Sequence, residues 1–137
     1  MNLLEERQTK GFAPTQIGPV AARGIPYLTV ADQKLVEMVL SGRLTRREIA
    51  LLTGVPIQTV SRRMLRIMAR LHDPLIIALI EHGQLLPELH RDVGLAYFLR
   101  RWGSNEIRRQ YGVTEYQFRR MITYIKGWHA ARRSVGK

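Results

Sequence analysis

Residues 45–71, TRREIALLTGVPIQTVSRRMLRIMARL, constrain the fold of this chain more than any other stretch. Thr45-Arg46-Arg47-Glu48 fits the S/T-x-x-E pattern, in which the threonine and glutamate side chains each satisfy an orphan backbone N–H at a helix start. A short helix from Arg46 to about Leu52 follows. Gly54 then turns the chain at no steric cost. Pro56 suits the start of a second helix, where the missing N–H has no intrahelical use. Val60, Met64, Ile67 and Leu71 form one apolar stripe at four-three-four spacing, so this second helix buries one face. The expectation is a helix-turn-helix with a long basic second helix. Ile49, Leu52, Val55 and Val60 are expected inside, and Ala50 is small where the helices approach.

A looser copy, SNEIRRQYGVTEYQFRRMITYIKGW, begins at Ser104. Glu48, Ile49, Gly54, Val55, Val60 and Arg62 recur 58 residues later as Glu106, Ile107, Gly112, Val113, Phe118 and Arg120. Ile107, Val113, Phe118, Ile122 and Ile125 are the expected inner positions of this copy. No stretch alternates with period two, so the predicted fold class is all-α. It is a tandem helix-turn-helix, two three-helix units joined by a short helix, with an extended N-terminal arm.

The expected boundaries follow. Residues 1–28 carry Gly11, Pro14, Gly18, Pro19, Gly24 and Pro26, a density that interrupts regular elements. They read as an arm, either loose or laid along a partner through Arg7, Lys10 and Arg23, with a short helical turn at Leu3–Gln8. Residues 29–74 form the first unit, opened by a helix through Leu35, Val36, Val39 and Leu40. Residues 75–86 form a connecting helix and linker. Residues 87–137 form the second unit with a basic tail. Its first helix is expected from Pro87 through Trp102, and Ser104 is expected to cap the next. Tyr97, Phe98 and Trp102 read as core, or alternatively as a face for another subunit.

The 137 residues carry a formal net charge of +11. That suits a polyanion, either nucleic acid or an anionic membrane surface. From Arg100 onward ten basic residues face only Glu106 and Glu115. The longest apolar run, 75–80, is far short of the ~20 residues of a membrane span. A basic amphipathic helix at the C-terminus needs its apolar face for its own core, so no membrane partner is expected. With no cysteine, disulfides and thiolate chemistry are excluded. The N-terminal MNLLEERQTK lacks the apolar segment of a secretory signal, so a cytoplasmic, nucleoid-associated protein is expected.

The carboxylates are scattered, and His72, His82, His90 and His129 show no HxH or HExxH spacing. No catalytic residue, metal ligand or cofactor is expected, and phosphate-binding glycine loops are missing. The basic helix-turn-helix points instead to duplex DNA. The start of the second helix enters the major groove, where glutamine pairs with adenine and arginine with guanine. Ile57, Gln58, Thr59, Ser61 and Arg62 are the candidate base readers of the first copy, and Tyr116, Gln117 and Arg120 those of the second. Arg46, Arg47, Arg63, Arg66, Arg108, Arg109, Arg119 and Lys126 are the candidate phosphate contacts, which position without specifying. Glu115 either favours the helix dipole or accepts from a cytosine amine. Two unlike readers in one chain predict an asymmetric site. A palindrome would mean a homodimer using one reader per chain.

The stretch LTRREIALLTGVPIQTVSRRMLRIMARLHDP resembles region 4 of bacterial sigma-70-type factors and the related sigma-like helix-turn-helix regulators. The shared features are a threonine-capped EIA helix, a GV turn, and a TV helix ending in RL and proline. The resemblance covers roughly residues 30–74, with a divergent second copy at about 89–130. It implies major-groove binding by the helix from Pro56 and a link to RNA polymerase. Pro56 stands where region 4 places serine. Nothing in residues 1–28 resembles region 2, so a region 4-like module is expected rather than a complete sigma factor. The functional expectation is a non-catalytic, sequence-specific regulator of transcription. The alternatives are a non-specific nucleoid or RNA binder, and an adaptor that docks on RNA polymerase or another regulator.

Overall fold

The structure is a computed structural model that describes residues 17–135. The readings of Arg7, Lys10 and the Leu3–Gln8 turn lie outside the described residues. All regular structure among the described residues is helical. The helices are α1 (Pro19–Ala22), α2 (Val30–Leu40), α3 (Arg46–Thr53), α4 (Ile57–Leu71), α5 (Pro74–His82), α6 (Glu88–Gly94), α7 (Ser104–Tyr111) and α8 (Glu115–Val135). Short 3₁₀ turns lie at Ile25–Tyr27 and Gly83–Leu85, and α6 continues as a π turn over Leu95–Leu99. The chain divides after His72 into two compact units.

In the first unit Thr29 caps α2 by accepting from the Asp32 N–H at 3.2 Å. The α3 capping box forms in both directions, each bond 3.1 Å long. Gly54 ends α3 with φ 75°, a left-handed conformation that costs other residues about 1–2 kcal/mol. Pro56 takes the position just before α4, and no side chain caps that helix. The predicted stripe is completely internal: Val60, Met64, Ile67 and Leu71 are all 2% exposed or less. At about 1.5–3 kcal/mol for each buried side chain, this stripe is what holds α4 against α2 and α3.

Two expectations fail here. Residues 17–28 are not an extended arm. They fold into α1 and a 3₁₀ turn, and Ala21 and Leu28 are buried. The glycines and prolines permit short turns whose apolar residues still find the core. Leu52, expected inside, is 65% exposed. The eight-residue α3 buries only Ile49, so its inner stripe is narrower than the apolar pattern implied.

In the second unit α5 is part of the core and not a connector. Ile76, Leu79 and Ile80 are buried, and Asp73 caps the helix by accepting from the Leu75 N–H at 2.9 Å. Gly94 explains how closely α6 approaches its neighbours. A Cβ there would meet Ile125 Cδ1 at 3.0 Å and Leu79 Cδ1 at 3.2 Å. The helix expected to run from Pro87 through Trp102 ends earlier. At the π turn the Arg100 N–H donates to the Leu95 carbonyl at 3.0 Å, and Arg101 follows with φ 63°. Tyr97, Phe98 and Trp102 pack against the core of Val93, Ala96, Ile107, Phe118, Met121 and Ile122, as the core reading expected. Gly103, not Ser104, is the residue before α7, because Ser104 already lies in the helix. Gly112 ends α7 with φ 65°, the counterpart of Gly54.

Candidate nucleic-acid interface

On α4 the buried stripe fixes what faces outward. Gln58, Arg62 and Arg66 are exposed and spaced four residues apart, so they form one row along the helix. Among the described residues neither arginine has an ion-pair partner, and α4 carries no acid. At the start of the row an open concavity of about 510 Å³ is lined by Arg46, Arg47, Ala50, Ile57 and Gln58. Arg47 is exposed on α3, while Ile57 and Thr59 are half-buried at the α4 start. The row therefore offers an amide and two guanidinium forks to one ligand surface, the donors and acceptors that pair with base edges and phosphates.

Other candidates in this unit are engaged elsewhere. Arg46 Nη2 donates to Ser61 Oγ at 3.3 Å and ties α3 to α4. Ser61 and Arg46 are thereby drawn into a helix–helix contact, while Arg46 also lines the concavity. Arg63 Nη2 lies 3.0 Å from Asp32 Oδ1, and Arg70 Nη2 lies 3.2 Å from Asp32 Oδ2. One carboxylate on α2 thus clamps two arginines of α4. Arg63, expected as a phosphate contact, is thus ion-paired within the protein. The partners of Asp32 lie 31 and 38 residues away, so no local pattern announces this clamp.

The second unit repeats the backbone but not the chemistry. Thr114 and Gln117 form a capping box at the α8 start. The Thr114 N–H donates to Gln117 Oε1 at 2.9 Å, and the Gln117 N–H donates to Thr114 Oγ1 at 3.1 Å. The side-chain oxygen of Gln117, expected as a base reader, is therefore engaged by the backbone. The T-x-x-Q signal was present in the sequence. Glu115 faces two arginines, Arg119 at 2.8 Å and Arg108 at 3.4 Å, and Arg108 also bonds Asn105. Arg108 is thus held between α7 and α8, and Arg119 is paired along α8. Arg109 and Lys126 remain exposed with no ion-pair partner among the described residues.

The α8 row that corresponds to Gln58, Arg62 and Arg66 is Tyr116, Arg120 and Tyr124. Tyr116 is 66% exposed and Tyr124 is 56% exposed. Arg120 leans on Tyr116, donating to its hydroxyl at 3.2 Å with the guanidinium 5.6 Å from the ring centre. Tyr124 was not among the expected contacts; its exposed ring is visible only once the buried face of α8 is known.

Among the described residues no group of three or more His, Asp or Glu side chains is placed to hold a metal, and no helix is long and apolar enough to cross a membrane. No family model, curated protein or solved structure matches the chain.

Proposed function

We propose that the protein is a non-catalytic regulator of transcription that binds double-stranded DNA specifically through helix-turn-helix geometry, with α4 as its duplex-reading helix. The observation that carries this reading is the row of Gln58, Arg62 and Arg66. Two like charges four residues apart cost a helix a few tenths of a kcal/mol when nothing opposes them. A polyanion removes that cost, and the amide at the head of the row supplies a base-edge contact. The connection α3–Gly54–α4 supports the reading, because a tight turn between a short and a long helix is the geometry that presents the second helix to a major groove.

A second reading rests on a different observation. Leu51 and Leu52 are 76% and 65% exposed on α3. Adjacent exposed leucines fit an adaptor that docks on a protein, such as RNA polymerase or another regulator.

Selection from a randomised duplex library at about 150 mM salt, close to physiological ionic strength, tests the proposal. The wild type should enrich an asymmetric motif, and the R62A/R66A variant should lose it. A variant with Leu51→Lys and Leu52→Lys should keep it. Absence of enrichment, with binding that collapses as salt rises, would instead mean a non-specific nucleic-acid binder. An R62A/R66A variant that still enriches the motif would remove α4 from the reading role.

A further inference from the structure

We propose that the Tyr116–Arg120–Tyr124 row of α8 is a stacking platform for unpaired bases of single-stranded DNA, so the two units address different forms of the nucleic acid. The identity of the strand as DNA rests on the function proposed above. The platform itself rests on the second unit alone.

The argument begins with what replaces what. Where the first unit presents the Gln58 amide and the Arg66 guanidinium, the second presents two tyrosine rings. Base edges in a duplex are read by forks of donors and acceptors, which a phenol does not supply. The nearby amide that would, Gln117, is held in the capping box. What the rings do supply is flat apolar surface, and the flat faces of bases are available only where a strand is unpaired.

The geometry fits that use. Tyr116, Arg119, Arg120, Thr123 and Tyr124 line one open concavity of about 450 Å³. At a rise of 1.5 Å per residue the two tyrosines stand about 12 Å apart along α8, with Arg120 midway. Each ring has a neighbour, Tyr116 the Arg120 guanidinium and Tyr124 the His90 ring, which meets it in a T-shaped contact with centres 5.2 Å apart. The surrounding charge complements a strand: from Arg100 onward ten basic residues face two acidic ones. A base on each ring would leave the intervening phosphates to Arg120, which stands between them.

The test uses the full chain and three fluorescent probes at fixed salt. These are a 20-nucleotide oligothymidylate, an abasic strand of equal length and charge, and a blunt duplex carrying the selected motif. Oligothymidylate should bind more tightly than the abasic strand. Tyr116→Ala and Tyr124→Ala should each weaken it by about fivefold or more. The Y116F/Y124F variant should stay within about twofold of wild type, since stacking needs the ring and not the hydroxyl. Duplex binding should be unchanged in all of these, with helical content intact. Equal binding of the abasic strand would overturn the proposal, because charge alone would then account for it. So would tyrosine variants that weaken the duplex as much as the strand, which would make the α8 row a duplex reader. An R62A/R66A variant that still binds the duplex fully would count against the α4 reading and leave the strand comparison standing.

Discussion

Arg63 and Arg66 are one helical turn apart on α4 and carry the same side chain, yet Arg63 is ion-paired and Arg66 is exposed, so the proposed function gives them opposite roles. Replacing each with alanine separates those roles. Arg63 makes an ion pair with Asp32 at 3.0 Å, with the two side chains 37% and 18% exposed. Pairs this accessible contribute at most about 1 kcal/mol after screening, and Asp32 keeps Arg70 when Arg63 is lost. Arg63→Ala should therefore cost about 0.5–1 kcal/mol, lowering the melting temperature by about 2–8 °C if the first unit melts as a domain of 60–100 residues. Arg66→Ala should change stability by less than about 0.5 kcal/mol, since Arg66 is exposed, has no ion pair among the described residues and repels Arg62. For DNA the order reverses. Each phosphate contact adds about 0.9 to the slope of log affinity against log salt. Arg66→Ala should reduce that slope by about 0.9, so raising salt from about 50 to 200 mM costs it about threefold less affinity than it costs wild type. Arg63→Ala should leave the slope unchanged. Thermal unfolding by circular dichroism and salt-dependent fluorescence anisotropy measure the two effects. A slope change in Arg63→Ala without loss of stability would refute the assignment, as would destabilisation by Arg66→Ala.

Three further outcomes are expected. Gln117→Ala removes half of the α8 capping box and should cost about 0.5–1 kcal/mol in chemical denaturation while leaving the selected DNA motif intact; an altered motif at unchanged stability would restore Gln117 as a base reader. Gly112→Ala forces a Cβ into a left-handed backbone and should destabilise by about 1 kcal/mol in the same assay, so unchanged stability would mean that the turn relaxes freely. Gly94→Val should cost about 1–3 kcal/mol by crowding Ile125 and Leu79, and a neutral result would show that α6 and α8 separate without penalty.

The sequence alone determined the features that depend on neighbouring residues. The α3 capping box, the glycine turns at Gly54 and Gly112 and the buried stripe of α4 were all legible, because capping, φ preference and helical periodicity act over a few positions. The 58-residue offset located the second unit for the same reason. The state of each arginine was not legible. Asp32 lies far from Arg63 and Arg70 in the chain, and Arg46 reaches Ser61 only because α3 folds back on α4. Of eight expected phosphate contacts, Arg46, Arg63, Arg108 and Arg119 have partners within the protein, whereas Arg47, Arg66, Arg109 and Lys126 are exposed and form no ion pair among the described residues. The misplacement of α5 has the same origin, since an apolar run states that a helix will be buried but not against what. Local sequence thus decided which faces turn outward. Tertiary packing decided which charges on those faces are already neutralised, because an ion pair is set by proximity in space and not by distance along the chain.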